Sequence, residues 1–117
     1  MRADELMIGD WVLNGCGNLM QVTAISEDGI DGVCEGGEWC DLYDVIKPIP
    51  IDLDILEKNG WKGGARRNIR FKSPYILAKK NDVWTMNYNE ARIAEIRYVH
   101  ELQNIMRMTG YQGGFKL

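Results

Sequence analysis

The side chains with the most distinctive chemistry gather at two places. His100, Gln103, Asn104 and Arg107 recur at spacings of three and four, which puts them on one face of a helix. There an imidazole, two amides and a guanidinium could donate and accept hydrogen bonds to a partner protein or a nucleic acid. The plainer alternative is a solvated polar face opposite the apolar stripe of Val99, Leu102 and Met106, with Gln103 and Arg107 turned to water. For catalysis, His100 needs a nucleophile or an orienting carboxylate within reach. Glu95 and Glu101 are close in sequence but project elsewhere on the helix. No nucleophile elbow, zinc-protease, P-loop or dinucleotide fingerprint occurs. No catalytic residue is assigned, and the chain reads as a non-enzyme.

The second place is basic. Between Trp61 and Asn81 stand Lys62, Arg66, Arg67, Arg70, Lys72, Lys79 and Lys80, with no acid among them. Trp61, Phe71, Tyr75 and Trp84 interleave. Cations for phosphates and rings for bases are what a single-stranded nucleic acid would need, with Arg66, Arg67, Arg70 and Lys72 as the patch. The competing reading is a strand pair with its aromatics inward and its cations outward. The net charge of −3 favours the second reading, because polyanion binders carry a basic surface.

Cys16, Cys34 and Cys40 make an odd count with no C-x-x-C knuckle. That argues against a disulfide framework and fits a reducing compartment. A zinc site using His100 as fourth ligand would lack the tight ligand pair such sites start from, so no metal and no cofactor are expected. Trp11, Met20, Trp39 and Tyr43 pose a further choice: exposed, they form a patch for a peptide, and buried, they are core, which is the favoured reading.

These residues must be positioned by one small domain, 1–117, with 45% apolar and 26% charged residues. No secretory signal is expected near the start, where Arg2, Asp4, Glu5 and Asp10 interrupt any apolar run. No run approaches the roughly 20 apolar residues that span a bilayer, so a cytoplasmic chain without membrane contact is expected. Charge is distributed unevenly. Residues 1–60 carry 13 acids and three bases, a net −10, and residues 61–117 sum to +7. Halves of opposite sign can attract within one molecule or between two copies, which leaves a homo-oligomer open.

The punctuation predicts an α+β fold. Asn14-Gly15 and Gly17-Asn18, Ser26–Gly29, and Gly36-Gly37 separate four short strands between Leu6 and Leu42. Asp44–Pro48 adds a fifth strand or a 3-10 turn. Strands at this spacing suggest a small SH3-like barrel over residues 5–47. Pro48-Ile49-Pro50 is a stiff connector into a second lobe, 48–117. Asp52 caps a short helix, Gly60 ends it, and Trp61 folds back on Leu56. After the flexible Gly63-Gly64-Ala65 come three or four antiparallel strands. The amphipathic helix that carries Leu102 and Met106 then packs on that sheet.

Three segments together carry a resemblance. They are Ile8-Gly9-Asp10-Trp11-Val12, Pro48-Ile49-Pro50-Ile51 running on to Leu56–Trp61, and Tyr98-Val99-His100-Glu101-Leu102-Gln103-Asn104 before Thr109-Gly110. In order and spacing the chain resembles a family of small uncharacterised proteins carried on prophages and conjugative elements of gut bacteria. Asp52 stands where that family has threonine, and Trp61 where it has phenylalanine. The resemblance implies a mobile-element origin and brings no catalytic residue. The expectation is a non-enzymatic accessory protein that works on a protein partner, with a nucleic-acid-associated protein as the alternative.

Overall fold

A computed structural model describes residues 1–63 and 68–117. The fold is α+β, with two antiparallel sheets and two helices. Contacts divide the chain into two units. The first comprises Met1–Pro50 and Tyr98–Gln112, and the second comprises Ile51–Arg97 and Gly113–Leu117.

The first unit opens with a 3-10 turn, Ala3–Glu5, then builds a meander of β1 (Trp11–Leu13), β2 (Leu19–Ile25), β3 (Gly29–Cys34) and β4 (Gly37–Leu42), in that spatial order. Alternation directs Val12, Met20, Val22 and Ile30 into a core with Leu6 and Ile46. Gly32 is required by that core: a Cβ there would stand 2.4 Å from Cγ of Met20. The expected barrel does not close among the described residues, because β1 and β4 are the two ends of the sheet. After β4 the chain returns to β1 for a single antiparallel bridge, Leu13 to Lys47, too short to zip the edges together. The helix α2 (Val99–Met108) belongs to this unit. Here the structure corrects the expectation that α2 packs on the second sheet. Leu102 and Met106 are buried, and Gly110 ends the helix with Tyr111 N–H bonded back to Met106.

The second unit holds α1 (Leu53–Lys58) and the strands β5 (Lys62–Gly63), β6 (Ile69–Lys72), β7 (Tyr75–Lys80), β8 (Val83–Tyr88) and β9 (Ala91–Ile96), paired in sequence order. Asp52 Oδ1 accepts the Ile55 N–H at 2.8 Å. Gly60, at φ 82°, lets the Trp61 N–H reach the Leu56 carbonyl. Tyr75 and Leu77 from β7, and Trp84 and Met86 from β8, form the buried face with Leu56, Trp61 and Ile96. Tight turns at Asn81-Asp82 and Asn89-Glu90, all at positive φ, join β7 to β8 and β8 to β9.

Candidate interaction site

The polar face of α2 does not stand in solvent. His100 and Gln103 are only 5% and 4% exposed. Gln103 Oε1 accepts the Trp11 N–H at 2.8 Å, and its Nε2 donates to the Gly9 carbonyl at 3.0 Å. Asn104 donates to the Glu5 carbonyl. Arg107 Nη1 donates at 2.7 Å to Oδ1 of Asp10, a carboxylate with no solvent exposure, and also to Asn104. The other oxygen of Asp10 accepts the Met7 N–H. The expectation of a solvated Gln103 is corrected, and Arg107 is half-buried rather than free. The physical reason is local. Gly9 sits at φ 95° and breaks the strand before β1, leaving backbone groups of Gly9 and Trp11 that a helix side chain can satisfy. His100 stacks on Tyr98 at 6.0 Å, and its Nδ1 has no hydrogen-bond partner. Burial holds this imidazole below its ordinary range, against the opposing charges of Glu101, Asp10 and Glu5. The face carries a brace, and His100 and Asn104 also line a cleft of about 350 Å³ with Met1, Glu5 and Tyr98.

Segments of the resemblance meet at this brace. Gly9, Asp10 and Trp11 bond to Gln103 and Arg107, and Pro48–Pro50 runs beside the start of α2, with Val99 N–H on the Ile49 carbonyl.

The basic patch fares similarly. Arg66 and Arg67 lie outside the described residues. Arg70 is buried, its guanidinium on the Ile69 carbonyl and 3.9 Å from Glu57. Lys72 donates to the Asn59 carbonyl. Lys79 lies over the Trp84 ring and beside Asp82, while Lys62 and Lys80 are exposed. The cysteines are dispersed: Cys16 and Cys40 are exposed, and half-buried Cys34 accepts from Asn14. Among the described residues no group of three His, Cys, Asp or Glu is placed to share a metal ion.

What remains open is the outer face of the first sheet. In register, Trp11 of β1 faces Gln21 of β2, Gln21 faces Val33 of β3, and Val33 faces Glu38 of β4. Leu19, Val33 and Leu42 are exposed and Trp11 is half-buried. Two turns wall this row. Buried Asn14 shapes the first, its Oδ1 accepting from Cys16 and Asn18 and its Nδ2 reaching Cys34. Glu35-Gly36 is the second. Between them lies a groove of about 850 Å³ lined by Trp11, Leu19, Gln21 and Val33, with Glu35 at its rim. Gln21 is oriented by its bond to the Gly9 carbonyl. The aromatic cluster expected from sequence therefore splits: Met20 is core, Tyr43 packs against the core, and Trp11 and Trp39 stay accessible in part. Sequence reasoning named Trp11 but missed Leu19 and Val33, which its alternation with Met20 and Gly32 would have placed on the outer face.

The surroundings are acidic. No Lys, Arg or His occurs between residues 3 and 46, where ten acids stand. Cys40 records the local crowding: its thiol donates a hydrogen bond to Asp31, and that bond, then burial, then the charges of Asp31, Glu38 and Asp41 push the thiol above the ordinary range. No helix is long and apolar enough to cross a membrane among the described residues. Comparisons with protein-family models, with curated proteins and with solved structures found no significant match, so the site stands on its own geometry.

Proposed function

We propose that this chain is a non-enzymatic, cytoplasmic accessory protein of a mobile genetic element that binds an extended segment of a partner protein on the outer face of its first sheet. The groove carries this reading. Its size lies in the range of about 300–1,000 Å³ typical of binding clefts, and it offers an indole and two aliphatic side chains beside amide groups that can bond a peptide backbone. Half-buried Trp11 is a rigid anchor of the kind that dominates binding energy. The return of Lys47 to β1 after a four-strand meander supports an open, SH3-like arrangement. The mobile-element origin rests on the resemblance alone. Nucleic-acid binding is the weaker reading, since Arg70 and Lys72 are engaged within their own unit.

Selection of random peptides displayed on phage against the full chain tests the proposal. The expected result is a family of apolar-plus-basic peptides that bind in the micromolar range and lose at least about tenfold on Trp11→Ala. No enriched family, or binding indifferent to Trp11→Ala, overturns it.

A further inference from the structure

Among the described residues, the edge strand β4 of the first sheet is bonded on one side only. Its partner is β3, joined through the two-residue turn Glu35-Gly36 with Cys34 opposite Gly37. In such a hairpin the pair flanking the turn is hydrogen-bonded, and bonded pairs then alternate along the ladder. Gly37, Trp39 and Asp41 therefore bond to β3, and the N–H and C=O groups of Glu38 and Cys40 point outward. Five of the six β4 residues are exposed, including Trp39 at 39% and Leu42 at 58%. Trp39 is held in place: its indole N–H donates to Asp41 Oδ2, which also accepts the Gly15 N–H.

We infer that β4 accepts an extended basic segment of a partner protein as an added strand, bonded to the outward backbone groups of Glu38 and Cys40. This deepens the proposed interaction function and rests on it. Charge selects the occupant. The first unit carries 11 acids against three bases; Glu38 and Asp41 stand near Cys40 on this edge, with Asp31 across from it on β3. A second copy would bring its own acidic unit against this one, whereas lysine or arginine opposite Glu38 is favourable, and one opposite Cys40 lies in line with Asp31 of β3 behind it. On the other face of the incoming strand, an apolar residue meets Trp39. The recognised pattern is thus alternating basic and apolar residues in an extended chain, the recognition mode known as strand addition. Unlike many exposed edges, β4 carries no lysine or proline to discourage a basic strand.

The test uses fluorescence anisotropy of the full chain with a labelled nine-residue peptide alternating lysine and valine, at about 50 mM salt, where screening is weak. Two further peptides carry N-methyl groups, one on its lysines and the other on its valines. Binding in the tens of micromolar is expected. One methylated peptide should lose at least about tenfold while the other keeps its affinity, because only alternate N–H groups face β4. Cys40→Pro removes one outward N–H without touching the β3 ladder and should cost about as much. Should that variant fold poorly, Glu38→Lys gives the charge readout on an exposed side chain. Equal affinity of both methylated peptides overturns the inference in favour of plain ionic contact, and so does binding that survives Cys40→Pro. If the lysine–valine peptide does not bind while selected peptides still depend on Trp11, the edge inference fails and the groove reading stands.

Discussion

Replacing Arg107 by methionine removes the charge that faces Asp10 while keeping a side chain of similar reach. Asp10 has no exposed surface, and without the guanidinium its Oδ1 loses a 2.7 Å charge-assisted bond, leaving the Met7 N–H on Oδ2. Removing one partner of a buried pair costs about 3–5 kcal/mol. Arg107 is itself 29% exposed, so water can enter once it is gone, and the lower figure of about 2–3 kcal/mol is expected. Asp10→Asn keeps an acceptor for Met7 and leaves a cation that water can reach, so about 1–2 kcal/mol is expected. The double variant should fall short of the sum by about 1–2 kcal/mol, since the two side chains act as one pair. Native-state hydrogen exchange reads the first unit directly. The Val22 amide, bonded to the Asp10 carbonyl at 2.9 Å, should exchange about 30- to 150-fold faster in Arg107→Met, because each 1.4 kcal/mol is about tenfold. A change under threefold, or strict additivity in the double variant, would refute the brace.

Further predictions address the remaining groups. The buried imidazole of His100 has its proton affinity lowered, so the unfolded chain takes up a proton near pH 6.5 that the folded chain resists. Stability is full above that pH and declines below it until the folded imidazole also charges. The urea midpoint should fall between about pH 7.5 and 5.5, and His100→Gln should flatten the slope; an unchanged slope would contradict the burial argument. Alkylation of Cys40 at about pH 8 should quicken by about threefold or more in Asp31→Asn, followed by peptide mass spectrometry, because the principal cause of its raised thiol affinity is removed. Neither single- nor double-stranded DNA or RNA should bind tighter than about 10 μM at physiological salt, far weaker than dedicated binders. Sub-micromolar anisotropy titrations with a salt slope near −3 would revive the basic patch.

Much of the fold was legible because local signals decide it. Asp52 and Gly60 mark the ends of α1 by cap chemistry. Alternation put Tyr75 and Trp84 inward as expected, though on β6 it is reversed, with Arg70 buried and Phe71 exposed, and helical spacing buried Leu102 and Met106. The partner of α2 was not legible. An amide or guanidinium on a helix face is equally consistent with water or with a distant backbone, and Gln103 bonds to residues more than ninety positions away. One clue was present: Asp10 interrupts the apolar run Ile8–Val12, and a buried carboxylate requires a cation. The fate of the edges was equally hidden, since closure depends on how the meander curls rather than on residue type. For the site, Trp11 and Trp39 were named, but whether each faces core or solvent depends on register, which one residue of slip would reverse.

Chemical-shift mapping of the isotopically labelled chain against a peptide from the selection locates the binding surface residue by residue. Saturable shifts are expected on the outer face of the first sheet and its walls alone, at Trp11, Leu19, Gln21, Val33 and Glu35, with the Trp11→Ala variant showing none at the same peptide concentration. Shifts clustered instead on β6 and β7 around Lys72 and Lys80, or persisting unchanged in Trp11→Ala, would contradict the groove reading.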